Sequence, residues 1–580
     1  MKHNIEKILK RAGLQGVVLF VPKHESHGHY STNIAMRLAG KSRRPAETTG
    51  VGTPPEASGK LPMELAKDFV KNIKKEDKDG FFERIEVAPP GFINFWLAKE
   101  ILQKEFGNVY KKIKDYGCNS LGDGKTVIVE YSQPNIGKMM HVGHLRTTII
   151  GDALANIYEF LGYKVVRWNY LGDWGTQFGK LIAAYKRWGN EKKIKENPID
   201  ELQALYVRFH EEIKKSPELD RDGQEEFRKL EEGDKENRKL WEWFKNESLK
   251  ELEKIYGTLG VKFDTYIGES FFEKEMKPLA EELTKKGIAE KSEGALVIPL
   301  EKAGLPPALI QKADGASLYL SRDIANLRYR LEKYKPAKIL YVVANEQSLH
   351  FEQLFAVAKI LGLNKTELVH VKYGLVLGEA GTKLATREGK TILLKDALEK
   401  AISFAREIVE QKNQELNKKE KDEIANAVGV GALKYNDLKE NRNSDIIFDW
   451  KKMLSLSGDS APYLQYTYAR LKSILRKAGK FSVSESQFSK LSGEEELQLM
   501  RKIFEFPDEV AQSAENLSTS NLANYLYKLA ALVSRLYETT PIIKESDESR
   551  RNALLALIDS TASVLKSGLG LLGIKTPEKI

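Results

Sequence analysis

Two histidines three residues apart, His141 and His144, open an amphipathic stretch and follow closely on Asn135 and Lys138. At i, i+3 spacing they share one face of a first helical turn. Imidazoles, a lysine and the free N–H groups of a helix start make an anion site, and a triphosphate is the obvious anion. Gly143 between them removes a side chain where a ligand presses on the backbone. Taken alone, the pair also fits two core histidines or two ligands of a metal. A catalytic zinc needs a third ligand, and no acid–histidine arrangement nearby completes the set. Context carries the phosphate reading: a strand, a Pro-Asn turn, a lysine and a helix start in succession.

The flanking elements must position these groups. Thr126–Tyr131 is a β-branched apolar run that predicts a buried strand. From His141 onward, Leu145, Ile149, Ala153, Ile157 and Leu161 recur at helical spacing. The polar turn Ser132–Lys138 lies between, with Pro134 and Gly137. Strand, turn and helix form half of a parallel α/β unit, whose ligand crevice lies at the strand's carboxyl end. Glu130, Asn135, Lys138, His141 and His144 all fall there.

Tyr163–Tyr170 predicts a second strand, ending in LGDWGTQFG (171–179) at the crevice lip. Residues 186–256 are charged and helical in pattern, with apolar spacing in Ile199–Phe209 and Trp241–Tyr256, and predict an insertion with solvated faces. The second half begins near Gly260. GASLYLSRDIANLRYR (315–330) carries Tyr319 and Asp323 four apart. Lys338–Val343 reads as a strand before ANEQSLHFEQLF (344–355), and strand-like Leu368–Leu377 leads into GEAGTKLATREGKTILL (378–394).

This alternation predicts a multidomain fold of α/β and all-α parts. A Rossmann-type, doubly wound parallel-sheet catalytic domain spans 117–396 and is split by the helical insertion. An N-terminal α/β domain spans 1–116, with strands at Gly16–Pro22 and Phe92–Leu97, a surface loop at Ala39–Pro62 and a linker at Gly117–Lys125. A helical bundle spans 397–580.

A formal charge of +10 over 580 residues permits a polyanionic partner without proving one. The single cysteine, Cys118, excludes a disulfide framework and a multi-cysteine zinc site. Met1–Arg11 is charged throughout and lacks the apolar centre of a signal peptide, and no apolar run approaches membrane-spanning length. The expectation is a cytoplasmic protein without a membrane partner. In Tyr463–Lys480, Tyr463, Tyr466 and Tyr468 stand among Arg470 and further basic residues with no acid, which suits stacking on single-stranded bases and pairing with phosphates. For each tyrosine singly, packing is the plainer reading.

His-Val-Gly-His resembles the HIGH signature of class I aminoacyl-tRNA synthetases, and SQPNIGKMMHVGHLRTTIIGDALA resembles the arginyl-tRNA synthetase version. HGHYSTNIAMRLAG (27–40) and APPGFINFWL (88–97) resemble that family's N-terminal domain, with His29 where the family usually has Asp. The 171–179 loop, NLANYLYKLAALVSRLYE (521–538), which is like the helical anticodon-binding domain, and the ending LLGIKTPEKI extend the resemblance over nearly the whole chain. The second signature, KMSKS, is represented by Lys383-Leu384-Ala385-Thr386-Arg387.

The resemblance implies that L-arginine is activated with ATP and Mg2+, without zinc, and passed to the 3′-terminal adenosine of tRNA-Arg by a monomer that needs tRNA even for activation. His141 and His144 would stabilise the pentavalent phosphate, and Lys383, helped by Arg387, the leaving pyrophosphate. Thr386 stands where a second lysine is usual, and Lys138 would supply the missing charge. His141, Gly143, His144, Gly172, Asp173 and Lys383 would bind ATP. Arginine's guanidinium and α-ammonium call for carboxylates, and Glu130 and Asp323 are the candidates, undivided between the two cations. Asn135, Tyr319, Gln347 and Asn94 join them by resemblance. Tyr463, Tyr466, Tyr468 and Arg470 would meet tRNA. Two rivals stand beside this reading. One is a related synthetase for another amino acid, which the two carboxylates oppose. The other is a catalytically silent tRNA-binding paralogue, which intact His141, His144, Lys138 and Lys383 oppose.

Overall fold

The computed structural model describes residues 1–41, 61–313, 319–378 and 392–580. They form two compact units. One comprises 1–116, 471–508 and 528–565, and the other 117–470, 509–527 and 566–580.

In the larger unit, Val127, Ile128 and Val129 have no polar edge to expose and are completely buried in strand β1 (Thr126–Glu130). Burial on both faces is what a parallel sheet imposes on its central strands. With β2 (Lys164–Leu171), β3 (Thr265–Gly268), β4 (Lys338–Tyr341) and β5 (Glu367–His370) it forms a five-stranded sheet in the order β5-β4-β1-β2-β3. Every neighbouring pair is parallel. Strand order reverses between β1 and β4, whose last residues, Glu130 and Tyr341, lie side by side. Ligands of such sheets bind outside the carboxyl ends at this switch point.

The helix Val142–Phe160 packs back on β1. Its close approach needs Gly151, where a methyl group would come within 2.3 Å of the Tyr131 Cβ. Between β2 and β3 run five helices, Thr176–Trp188, Glu191–Glu196, Pro198–Lys215, Glu218–Glu231 and Lys235–Leu259. The insertion therefore begins earlier than the charge pattern implied. Asp234 caps the longest of these helices through the N–H groups of Glu236 and Asn237, and Gly260 ends it at φ 70°. Beyond Leu394 the chain is helical except for Ile446–Ile447, which pairs in parallel with Val376–Leu377.

In the smaller unit, Tyr30–Thr32, Phe92–Leu97 and Phe82–Ala88 form an antiparallel sheet with Phe92–Leu97 in the middle. The expected strand at Gly16–Pro22 does not form, and only Phe20 makes a single bridge, to Ser31. Gly16 at φ 63° breaks the extended run, and Val18 and Val21 stay exposed. His29 accepts a hydrogen bond at Nδ1 from the Leu97 N–H at 2.9 Å, so a neutral imidazole does an acceptor's work there. Burial, with Arg501 and Arg84 adding to it, lowers its pKa to about 3.

One sequence expectation needs amending. The helix Glu548–Leu571 is long and apolar enough to cross a membrane, yet most of its apolar window is buried inside the fold. Its hydropathy is that of a core helix.

Two outcomes follow. Gly151→Ala overpacks the helix–strand contact and is expected to cost about 1–3 kcal/mol, read as a lower thermal midpoint; an unchanged midpoint would show that the helix shifts freely. Because the folded-state pKa of His29 is depressed, its contribution is intact above the ordinary 6.5 and is lost as pH falls toward about 3. Acid unfolding of the native chain is expected to be steeper over that window than that of His29→Gln.

Candidate active site

The chain leaves β1 through two consecutive non-glycine residues in the left-handed region, Ser132 at φ 74° and Gln133 at φ 49°. Such residues persist only where surroundings over-determine them. Here Ser132 N–H donates to Thr147 Oγ1 at 3.1 Å, Thr148 Oγ1 donates to Ser132 Oγ at 3.0 Å, and Tyr256 meets the same hydroxyl at 2.7 Å. Gln133 N–H donates to Asn169 Oδ1, and its amide donates to Glu130. Next, Asn135 crosses Gly172 so closely that a Cβ on residue 172 would stand 2.3 Å from Asn135 Oδ1. A side chain at position 172 would thus displace the Asn135 amide. The insertion grips the rest of the turn. Ser248 accepts from Gly137 N–H, Gln203 accepts from Met139 N–H, and the Lys138 ammonium lies over the Tyr206 ring.

His141 is the N-cap of the helix Val142–Phe160. Its Nδ1 accepts from Gly143 N–H at 3.1 Å, and His144 Nδ1 accepts from His141 N–H at 3.1 Å. Two of the helix's orphan N–H groups are satisfied by this reciprocal arrangement. Gly143 is needed because a methyl there would meet the His141 ring at 2.8 Å. Burial lowers the pKa of both imidazoles, that of His144 to about 4 with help from His141. With Nδ1 accepting, each neutral ring carries its proton on Nε2. The pair is therefore two neutral donors, with ring centroids 4.0 Å apart.

Three acids gather at the strand ends, each with an internal partner. Glu130 is buried and ion-paired with Arg330, which stacks over Trp168 with its guanidinium carbon 4.3 Å from the ring centroid. With Gln133 on its other oxygen, Glu130 has both oxygens engaged, against the expectation of an open carboxylate facing arginine. Glu269, directly after β3, lies 3.4 Å from Arg322, and burial pushes its carboxyl up to about 8 although Arg322 pulls the other way. Asp323 meets His350 Nε2 at 2.6 Å. Burial works against the His350 imidazolium, but the hydrogen bond and charge of Asp323 outweigh it and hold the pKa above its ordinary value. The other neighbouring arginine, Arg328, pairs with Glu282. Among these acids lies the Tyr170 hydroxyl, buried and without a hydrogen-bond partner among the described residues.

Other expected residues are placed variously. Tyr319 is 66% exposed one turn before Asp323, and Gln347 and Asn135 are exposed. Asp173, expected at ATP, is fully buried and saturated by Lys245 at 2.6 Å and by the backbone and hydroxyl of Ser270. It ties the insertion to β3 and has no oxygen to spare. Asn94 belongs to the other unit, where its buried Oδ1 accepts from Ser31. Tyr468 is only 2% exposed and cannot stack on a base, because it lies on the core side of the helix Ala461–Ala478. Tyr463 packs edge-on to Tyr527, and Tyr466 lies under Arg470 and Lys412 at the surface. Lys383, Thr386 and Arg387 fall outside the described residues.

Sequence reading missed Tyr170, Glu269, His350 and Arg146. The signal for Tyr170 and Glu269 was their place at or just beyond a strand's carboxyl end, whereas His350 lies in the first turn of the helix Ser348–Ile360 that follows β4. Arg146 stood out as an arginine among the apolar helix positions Leu145, Ile149 and Ile150. It is 1% exposed, pairs with Asp437 and donates to the carbonyls of Gly374, Leu375, Arg442 and Ser444. Downstream, Val142 N–H donates to Ile392 O and Leu394 N–H to Met140 O. The stretches on either side of residues 379–391 are thereby bonded to the first signature. Burial raises the Asp437 carboxyl to about 6 against the pull of Arg146. Arg146→Met would strand that acid and is expected to destabilise by about 3–5 kcal/mol, measured by denaturant titration. A loss under about 1 kcal/mol would mean that the pair is solvated in solution.

Comparison with known proteins agrees with this geometry. Residues 108–450 match the family of tRNA synthetases class I (R), catalytic domain, residues 1–97 the arginyl tRNA synthetase N terminal domain, and residues 464–580 the DALR anticodon binding domain. The arginine–tRNA ligase of Clostridium perfringens is 44% identical over 527 residues, covering 90% of this chain and 91% of the relative. That of Halothermothrix orenii is 41% identical over 523 residues, with the same coverage. The arginyl-tRNA synthetase structures of Plasmodium falciparum and Thermus thermophilus superpose with a TM-score of 0.81 each, at 28% and 25% identity. They cover 100% of this chain, which covers 99% and 100% of theirs. With a donor pair at the head of the helix that follows β1 of a doubly wound sheet, and with these matches over most of its length, the chain belongs to the class I arginyl-tRNA synthetases.

Proposed function

We propose that the crevice at the carboxyl ends of β1 and β4 activates L-arginine with ATP and passes it to tRNA-Arg, with the following division of labour. The arginine carboxylate attacks the α-phosphate, and pyrophosphate leaves with the magnesium that ATP carries on its phosphate oxygens. Little covalent help is needed, so positioning and charge stabilisation supply the rate. His141 and His144 donate Nε2–H to phosphate oxygens as negative charge grows there. Their neutrality suits a step that must release its product, since a fixed cation would also hold the ground state. Lys138 meets the pyrophosphate, together with Lys383 and Arg387 of the second signature.

Asp323 takes a cation of the substrate, with Tyr319, Gln347 and Asn135 around it. The observation that carries this is its partner: Asp323 is held by a histidine, whereas Glu130 and Glu269 are held by arginines. Glu130, with both oxygens engaged by Arg330 and Gln133, supports the site from behind. An uncharged rival makes no ion pair with Asp323 and forfeits that binding energy, so it is rejected. The activated arginine then moves to the 2′-hydroxyl of the terminal adenosine. Tyr463, Tyr466 and Arg470, joined by Lys412, offer a surface to RNA. The domain division at 116/117 and 396/397 separates tRNA-core, catalytic and anticodon roles. The working form is a cytoplasmic monomer.

Pyrophosphate exchange into ATP, measured with each amino acid and with or without tRNA, tests the reading. Exchange with arginine alone, and only with tRNA-Arg present, is expected; exchange with another amino acid would overturn the pocket. Lys138→Ala should slow exchange by about 10²–10³-fold, as loss of one transition-state donor does. A near-native rate would remove Lys138 from the pyrophosphate site.

A further inference from the structure

The three acids of the crevice differ in the chemistry of their partners. Arg330 and Arg322 cannot lose their charge in a protein. Histidine can, within the physiological range. Asp323 therefore faces the one partner of the three that can give up its charge, and the pair is partly open, with 19% of the Asp323 side chain and 25% of the His350 side chain exposed. Among the described residues, the charged groups facing His350 are Asp323 on the helix Tyr319–Tyr334 and Glu130 at the end of β1, the latter already neutralised by Arg330. A cationic substrate entering beside a charged imidazole meets repulsion at close range in a site of low dielectric.

We propose that His350 is the exchangeable counter-cation of the amino-acid site: arginine takes Asp323 over from it, and His350 gives up one proton to solvent as the substrate binds. The balance is simple. Before binding, Asp323 carries one negative charge and His350 one positive. Afterwards the substrate's cation pairs with Asp323, and the imidazole is neutral. Nε2 keeps its hydrogen toward Asp323, since an Nε2 lone pair would face the carboxylate, and the proton leaves from Nδ1. No bond other than this N–H is broken. The empty site thus avoids an unpaired carboxylate without holding a cation that would shut arginine out. His350 is a positioning and specificity residue in this scheme, and the proposal rests on the assignment of Asp323 to the arginine site.

The test is calorimetric titration of L-arginine into the full chain with tRNA-Arg present, at pH near 7, in phosphate and in Tris. These buffers differ in ionisation enthalpy, so the difference in apparent heat counts protons. Release of about one proton per arginine is expected for the native chain, and close to none for His350→Gln. No release from the native chain, or unchanged release from His350→Gln, overturns the proposal. Glu269→Gln should leave the count in place; if that variant alone abolishes release, the proton belongs to Glu269 and the proposal fails. Should His350→Gln not fold, the native pH profile decides. KM for arginine should rise about tenfold per pH unit below the His350 titration while kcat holds, and a flat KM overturns the proposal. Asp323→Asn separates the two failures, because undiminished arginine binding by that variant removes Asp323 from the pocket itself.

Discussion

The turn that carries the chain out of β1 is the constraint on which the site depends. Ser132 and Gln133 both hold left-handed backbone without being glycine, at a cost of about 1–3 kcal/mol each. The hydrogen bonds that offset this come from the helix Val142–Phe160, from β2 and from the last insertion helix, through Thr147, Thr148, Asn169 and Tyr256. Once the turn is fixed, the direction of the following loop is fixed too, and with it the start of the signature helix. The helix start then orders its own histidines, because the N–H groups left over by helix geometry are the donors that His141 and His144 accept.

A consequence is that the head of the signature helix presents neutral donors, which the proposed function assigns to phosphate. Burial keeps both imidazoles unprotonated, and the backbone bonds to Nδ1 leave Nε2–H on each ring. On the proposed reading the positive charge comes from Lys138, whose ammonium lies over the Tyr206 ring of the insertion. The insertion therefore has a mechanical part in the site. Ser248 and Gln203 hold the signature turn, and Lys245 holds Asp173. A charged helical segment that reads in sequence as solvated surface turns its other side to the crevice.

Charge pairing organises the amino-acid side. Two of the acids face arginines and the third faces a histidine. Arg330 and Arg322 are permanent fixtures, and the Glu130–Arg330 pair is packed under aromatic rings. Asp323 has the most open setting of the three and a histidine for its partner, and on the proposed reading it is where the incoming cation binds. Farther from the chemistry, Arg146 uses one guanidinium to fasten two loops and an acid to the signature helix.

Much of this was legible in the residues alone. β-Branched runs and helical spacing located β1, β2, β4 and the signature helix, since both patterns record burial directly. The place of His141 and His144 at a helix start was legible because their spacing records a local geometry. What sequence could not supply was partnership. Glu130 and Asp323 look alike as acids in the sequence, and only the fold brings Arg330 to one and His350 to the other. Asp173 and Tyr468 looked available for ligands until tertiary packing buried them. Residue type and spacing determine which chemistry is within reach, because they act over a turn or a strand. Which groups remain open to a substrate is decided by contacts between residues tens to hundreds of positions apart, and those exist only once the sheet has closed.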